Sequence, residues 1–224
     1  MATKKISAMT VATTIADADL VPIVQGGANK ISTYELLMLR ADNDLRKANL
    51  MGSVAVALTF NPYFATATQS FVDGRQYMTP IVIPKAVTVT GVKWQQITQG
   101  NYTADNNNRI GLYSVAAGVL TLRASCANDG DLWKGAAGCI TKAFTVPYAA
   151  PAGLYYIGYL YNQSAQVTGP AIAAHVGLQS LVSALDFTNG NLLSSYFAGA
   201  DLQPSTTTMA TASQATASAF FILY

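Results

Sequence analysis

The sequence predicts a mainly β protein in which one antiparallel β-sandwich follows a small N-terminal hairpin and one short helix. Beyond residue 53 the chain consists of short runs rich in β-branched and aromatic residues, separated by clusters of Gly, Asn, Asp and Pro, which is the pattern of a sandwich or barrel. Residues 34–48 contain good helix formers and no Gly or Pro. Charged side chains make up only 11% of the 224 residues, against roughly 25% in ordinary soluble domains.

The first predicted element is a hairpin. Residues 20–25 (LVPIVQ) have the composition of a strand, and residues 26–29 (GGAN) tolerate the positive φ angles of a turn. Lys30 and Ile31 then begin a return strand. We expect this hairpin to belong to an N-terminal segment that covers residues 1–52.

The second predicted element is a helix over residues 33–49. Ser32 and Glu35 have the spacing of a capping box, and Gly52 closes the segment. One stripe of this helix repeats at spacings of four and three, which suits a short coiled-coil seam. An amphipathic helix that lies on its own sandwich explains the same spacing. The stripe consists of Tyr34, Met38, Ala41, Leu45 and Ala48.

The sandwich domain is predicted over residues 53–224. Ala117-Gly118 is a two-residue link for a tight hairpin. For the simple-sequence stretch 204–218 we favour a strand of small residues or an ordered loop over a flexible linker. Candidate strands cover residues 54–60, 77–83, 87–95, 109–114, 119–124, 143–146, 154–161, 171–176 and 219–224.

Two of these strands carry apolar side chains on both faces. Residues 154–161 alternate so that each face is apolar or aromatic, which predicts a central strand covered by the second sheet and by a neighbouring subunit. Residues 219–224 contain no charged or amide side chain, so we expect a paired, internal strand.

The charge distribution excludes several classes of function. Residues 143–185 contain no Asp, Glu, Lys or Arg, and the net charge of the whole chain is +2. We therefore expect no nucleic-acid footprint. No window is apolar enough for a spanning helix, and no secretory signal is evident. A surface with so little charge favours association with copies of the chain or with another protein, although a Ser/Thr-rich monomer has the same composition.

The inventory of reactive side chains points away from catalysis. His175 is the only histidine and lies on a predicted strand among small apolar residues, so we interpret it as structural. Cys126 and Cys139 are expected to be free thiols in a reducing cytosol. Asp129 and Asp131 flank Gly130, which is more typical of Asx-turn chemistry than of a Ca²⁺ site. We expect no catalytic residues, no metal and no cofactor.

Sugar binding is the most plausible ligand chemistry for this composition. Carbohydrate sites combine an aromatic platform with hydrogen-bonding side chains. Trp133 beside Asp131 on a predicted loop fits this description, and so does Tyr102 near an Asn-rich loop. The same aromatic side chains would also suit a subunit seam.

Residues 5–32 and 87–161 contain motifs that carry a family resemblance. The motifs KISAMT and DADLVPIVQGGANKIS in residues 5–32 resemble the N-terminal module of many phage structural and fibre proteins, with Met9 where Leu is usual. Residues 87–161, which include RIGLYS, ANDGDLWK and YAAPAGLYYIG, are similar to a jelly-roll module found at the ends of phage fibres. The resemblance implies virion attachment through Asp17, Asp19, Leu20, Pro22, Val24, Gly26 and Gly27.

The resemblance also implies a function and a fold. The expected fold is a jelly-roll-like antiparallel β-sandwich, and the expected protein is a homotrimeric head or tail fibre or appendage in a virion assembled in the host cytoplasm. Residues 1–50 would bind other virion proteins, and the sandwich is a candidate for contact with a host surface glycan or protein. The alternatives are a capsid decoration protein that cements the shell and, less favoured, a polysaccharide hydrolase.

Overall fold

The computed structural model describes residues 20–25, 28–33, 55–176, 194–199, 201–202, 205–208, 213–214 and 217–224. The chain divides into two compact units, Met1–Val54 and Ala55–Tyr224. The two units are described separately below.

The first unit contains a β-hairpin at the predicted position. Strand β1 (Leu20–Gln25) pairs antiparallel with β2 (Ala28–Thr33), with Gln25 opposite Ala28. The hairpin prediction is therefore confirmed. Strand β2 includes Thr33, the residue at which the predicted helix was to begin, and the rest of that helix lies outside the described residues.

The second unit is a β-sandwich of two antiparallel sheets and a short ribbon. The first sheet contains β3 (Ala57–Leu58), β4 (Ala67–Ser70), β6 (Val87–Thr98), β10 (Gly138–Ala150), β13 (Ala171–His175), β17 (Ser218–Ala219) and β18 (Phe221–Leu223). The second sheet contains β5 (Arg75–Ile83), β8 (Ile110–Ala116), β9 (Val119–Ser125), β11 (Gly153–Tyr161), β14 (Ser195–Ala198), β15 (Ser205–Thr208) and β16 (Ser213–Gln214). The ribbon pairs β7 (Asn101–Ala104) with β12 (Gln163–Thr168).

Aromatic rings make up a large share of the core between the sheets, beside aliphatic side chains. Trp133 lies 5.3 Å from Trp94 of the first sheet and 4.7 Å from Phe71, measured between ring centroids. Tyr159 of the second sheet lies 4.9 Å from Phe221 of the first. These spacings match the edge-to-face and tilted packing that aromatic pairs prefer. Aromatic packing therefore joins the two sheets.

Strand β11 is central, as predicted, and both of its faces are buried. It pairs with β5 on one side and β8 on the other. Its inner residues, including Ile157 and Tyr159, belong to the core, while Tyr156 and Leu160 on the outer face are also fully buried within the single chain. Cover for these two side chains thus comes from the chain itself, whereas the sequence had suggested a neighbouring subunit.

Two predictions for this unit are confirmed, the tight turn at Ala117-Gly118 and an internal strand within residues 219–224. Ala117 and Gly118 link β8 to β9 and both have positive φ, at 49° and 76°, as a type I′ hairpin turn requires. Strand β18 lies between β6 and β3 and is therefore internal. Of the 204–218 stretch, residues 205–208 and 213–214 are described as the short strands β15 and β16.

Gly91 of β6 has no room for a side chain, because Tyr224 and the backbone of β10 lie close to it. A Cβ added at Gly91 would lie 2.5 Å from the backbone carbonyl oxygen of Lys142 on β10. That carbonyl is held in the β6–β10 ladder and cannot rotate away as a side chain could. We expect Gly91→Ala to lower the free energy of unfolding by about 1–3 kcal/mol through overpacking.

Gly135→Ala is the matched control for this substitution. The added Cβ there would meet only the flexible end of Ile140, at 3.0 Å. Urea denaturation followed by circular dichroism measures both variants. Equal stabilities for the two variants would contradict the assigned register of β6 and β10.

Candidate functional site

Loops from both sheets meet at one end of the sandwich, here called the loop end (residues 71–74, 99–109, 126–137 and 161–170). Buried Asn108 donates from Nδ2 to the carbonyl of Asn162 at 3.1 Å, and the Asn162 N–H donates back to Asn108 Oδ1 at 3.0 Å. The Asn108 N–H donates to Asn128 Oδ1 at 2.9 Å. These bonds satisfy buried backbone groups, so the asparagines fix three loops relative to one another.

Two acidic side chains of the loop end, Asp129 and Asp131, are paired with lysines. Asp129 forms an ion pair with Lys142, and Asp131 lies 2.8 Å from Lys134. The hydrogen bond from Lys142 lowers the pKa of the Asp129 carboxyl. The Asp131 N–H also donates to Asp129 Oδ1 at 2.9 Å. This last bond confirms the Asx-turn interpretation of the sequence around Gly130.

The glycan platform predicted at the loop end is wrong for both of its aromatic residues. Trp133 is fully buried, and its Nε1–H donates to the carbonyl of Leu160 at 2.9 Å. Tyr102 is also buried, and its hydroxyl donates to the carbonyl of Gly130 at 3.0 Å. The turn after Asp129 directs the Trp133 indole into the core, because the interior is the better environment for so large an apolar surface. Of the three predicted glycan contacts, Tyr102, Asp131 and Trp133, only Asp131 is exposed.

Exposed aromatic side chains occur elsewhere, on a turn that precedes β4. Pro62–Phe64 forms a 3-10 turn in which Tyr63 is 82% exposed and Phe64 is 57% exposed. Asn61 caps this turn, because its Oδ1 accepts from the Tyr63 N–H at 3.0 Å. Tyr63 and Phe64, together with Phe60 and His175, are here called the aromatic patch. It is the candidate functional site of the sandwich.

His175 joins the patch to the first sheet. Its Nδ1 lies 2.9 Å from the carbonyl oxygen of Phe64, and since a carbonyl only accepts, Nδ1 is the donor. The imidazole also lies 6.0 Å from the rings of both Phe60 and Phe64. Phe60 in turn packs edge-on against Phe220 at 5.4 Å. This bonding agrees with the structural role that the sequence suggested for His175.

The sequence contained one signal for this patch that was not used. An Asn-Pro pair favours the start of a turn, and in Asn61-Pro62-Tyr63-Phe64 it is followed directly by two aromatic residues. Aromatic side chains on a short turn have fewer neighbours than those on a strand. Residues 54–60 were assigned to a strand, and the turn that follows received no functional interpretation.

The residues predicted for virion attachment and for the helical stripe fall largely outside the described residues. Leu20, Pro22 and Val24 lie on β1. Outside the described residues are Asp17, Asp19, Gly26, Gly27, Tyr34, Met38, Ala41, Leu45 and Ala48.

The described residues show few groups suited to other chemistry. Both cysteines are free, Cys126 buried and Cys139 exposed. No cluster of three or more His, Cys, Asp or Glu side chains suited to a metal ion occurs in the part of the chain that the structure describes. Within the same part, no helix has the length and apolar character to cross a membrane.

Comparison with known proteins assigns no family to this chain. No protein-family model matches the sequence, and no curated protein matches it. The likeness of residues 5–32 and 87–161 to phage modules therefore stays a prediction.

Proposed function

We propose that the protein is a non-enzymatic structural component of a bacteriophage virion. In this proposal it is a trimeric head or tail fibre or appendage protein, anchored to other virion proteins by residues 1–50. The sandwich would extend outward and contact a host surface glycan or protein. The main support is the exposed surface of the sandwich strands, which carries very few charges.

Strands β10 and β12 show this surface most clearly. On β10 the exposed side chains are small or apolar, among them Thr141, Ala143 and Val146. On β12 every residue from Ser164 to Thr168 is exposed and none is charged. Weakly charged surfaces give little repulsion between molecules. Such strands suit packing against copies of the chain in a fibre.

The placement of reactive groups supports a role other than catalysis. His175 donates to a backbone carbonyl, and the Asp129 carboxylate is paired with Lys142. Buried tyrosine hydroxyls such as that of Tyr159 have pKa values raised by desolvation, so they are poor proton donors and acceptors at neutral pH. A general acid or base needs a pKa near the working pH.

The order of the strands supports the jelly-roll part of the proposal. Along the chain β5 lies in the second sheet, β6 in the first, β8 and β9 in the second, β10 in the first and β11 in the second. The chain then returns to the first sheet at β13 and to the second at β14. Repeated crossing between two antiparallel sheets is typical of Greek-key and jelly-roll sandwiches.

Light scattering of the full-length protein after size exclusion tests the proposal. We expect a compact trimer that persists on dilution to the nanomolar range. A monomer that binds only to assembled capsids would support the decoration alternative, and turnover of purified capsular polysaccharide would support a hydrolase. Either result would overturn the proposed fibre.

Two substitutions in the predicted helix test whether the helix or the sandwich forms the trimer contact. Leu45 belongs to the predicted apolar stripe, whereas Leu36 lies on the opposite side of the same helical pattern. If the stripe is the trimer seam, Leu45→Asp shifts the protein to monomer because a charge at a core position of a coiled coil is unfavourable, and Leu36→Asp leaves the trimer intact. A trimer that survives Leu45→Asp would assign assembly to the sandwich instead.

A further inference from the structure

We propose that the aromatic patch binds an uncharged sugar ring. The inference rests on the proposed function, since it gives the host-surface contact of the virion protein a location and a ligand class. It replaces the loop-end platform of Tyr102 and Trp133, whose aromatic faces are buried.

Two rings of the patch are available to a ligand. Tyr63 and Phe64 expose 82% and 57% of their surfaces, although large aromatic side chains usually bury most of their area. The face of an aromatic ring carries partial negative charge. The C–H groups of a pyranose carry partial positive charge, so they stack favourably on that face.

Hydrogen bonds order the backbone of the turn that carries these rings before any ligand binds. Pro62 fixes one φ angle of the turn, and the Asn61 cap closes it at one end. The Ala65 N–H donates to the carbonyl of Pro62 at 2.9 Å, and the Thr66 N–H donates to that of Phe64 at 2.8 Å. A turn ordered in this way loses little conformational entropy when it binds.

The electrostatics of the patch select an uncharged ligand. Among the described residues, the segments that form the patch and flank it are 55–72, 171–176 and 217–224, and these contain no Asp, Glu, Lys or Arg. An acidic sugar would lose hydration here without gaining a basic partner, which is unfavourable. A neutral sugar needs only hydrogen bonds beside the rings.

His175 and Asn61 place hydrogen-bonding groups next to the rings. Because Nδ1 of His175 donates to the Phe64 carbonyl, Nε2 of the neutral imidazole is an acceptor for a sugar hydroxyl. Asn61 is exposed at the start of the turn, and its amide can both donate and accept. An apolar surface with a few fixed polar groups is the usual composition of a small-ligand site.

The size of the patch favours a sugar over a folded protein partner. A stable protein interface buries about 800 Å² on each side, which is far more than two exposed rings and their immediate neighbours provide. One or two sugar rings match the two exposed aromatic side chains. A second copy of the chain is therefore treated as an outcome of the test.

Glycan-array binding by the full-length protein tests the inference. The array carries neutral oligomers of glucose, galactose, N-acetylglucosamine and rhamnose, with glucuronic and galacturonic acid oligomers as charged counterparts. We expect binding to at least one neutral oligomer and no stronger binding to the acidic ones. Tyr63→Ala combined with Phe64→Ala should weaken that binding about tenfold or more, since two stacking contacts are lost.

Two matched variants control for general effects. Tyr63→Phe keeps the ring and should retain binding within about threefold, because it removes only the hydroxyl. Val167→Ala truncates another exposed apolar side chain, on β12, and should leave binding unchanged. Both substitutions concern exposed side chains, so folding should be preserved, and circular dichroism verifies this.

Each remaining outcome overturns the inference. These outcomes are no binding to any neutral oligomer, preference for the acidic oligomers, or binding that survives the double substitution. If the double variant instead converts a trimer to a monomer, the patch is a contact between copies. Because trimer formation is measured separately, loss of the sugar site leaves the fibre proposal standing, and a monomeric wild type that still binds sugar overturns only the fibre.

Discussion

Between pH 10 and pH 12 the sandwich should unfold in one cooperative transition while it is still stable at neutral pH. The cause is the set of tyrosines in and around its core. Burial raises the pKa of Tyr155, Tyr156 and Tyr161 to about 12, and it also raises the pKa values of Tyr113 and Tyr159. Unfolded tyrosine has a pKa near 10.

The direction of the effect follows from proton linkage. Above pH 10 the unfolded chain releases tyrosine protons that the folded chain retains, so the free energy of unfolding falls as the pH rises. Each tyrosine whose pKa is raised in the folded state removes at most about 1.4 kcal/mol per pH unit in this window. The contributions of several such tyrosines add up, so together they remove a large part of the roughly 5–15 kcal/mol typical of a domain.

Tyrosinate absorbance near 295 nm and circular dichroism, recorded together against pH, measure this transition. Ionisation and loss of structure should coincide for the buried tyrosines. A gradual ionisation below pH 11 with intact circular dichroism would show that these hydroxyls are accessible in the folded state.

Tyr156→Phe and Tyr113→Phe form a matched pair for this experiment. The Tyr156 hydroxyl is buried and has no hydrogen-bond partner among the described residues, so its removal should stabilise the protein by about 1 kcal/mol at pH 7. The Tyr113 hydroxyl accepts from Gln76 at 2.9 Å, so its removal should cost about 1 kcal/mol. Each variant lacks one buried tyrosine. Its free energy of unfolding should therefore fall less between pH 7 and pH 12 than that of the wild type.

Trp133→Ala is expected to be the most damaging single substitution in the sandwich. The indole is fully buried, contacts Phe71 and Trp94, and donates to the carbonyl of Leu160. Its removal should lower the free energy of unfolding by about 3–5 kcal/mol, because a large cavity replaces a well-packed ring. Urea denaturation and near-ultraviolet circular dichroism measure the loss.

Trp133→Phe separates the packing of the indole from its hydrogen bond. The phenyl ring fills part of the space but leaves the Leu160 carbonyl without its donor, so we expect an intermediate loss of about 2 kcal/mol. An alanine variant within 1 kcal/mol of wild type would mean that Trp133 is exposed in solution. That result would return it to the list of candidate glycan contacts.

The sequence predicts strands well where one or both faces are continuously apolar. Residues 154–161 were placed correctly because nearly every side chain there is large and apolar. The strand predicted over 219–224 is present over 221–223, where the same pattern holds. Strand β10 was recognised only over residues 143–146, although it covers 138–150. Gly, Lys, Ala and Pro occur along it, and these residue types are depleted in strands.

Short strands of small polar residues were missed for the same reason. Strands β4, β7 and β12 consist mostly of Ala, Thr, Ser, Asn and Gln, so their conformation is decided by pairing with neighbours that a local pattern does not reveal. The candidate site shows the same limit. Trp133 follows a turn, yet whether such a ring points outward or inward depends on the sheets that enclose it.

The position of β18 has a consequence for how the chain acquires its structure during synthesis. Thr59 and Phe221 are hydrogen-bonded across a separation of 162 residues, and β18 fills the slot between β3 and β6. Until residues 221–223 have been synthesised, β6 has unpaired backbone groups on the side that β18 later occupies. Strands of other chains can pair with these groups. On polysomes many copies of the chain emerge close together. There the unpaired edge of β6 is a site for domain swapping, in which the β18 segment of one molecule pairs with β6 of another.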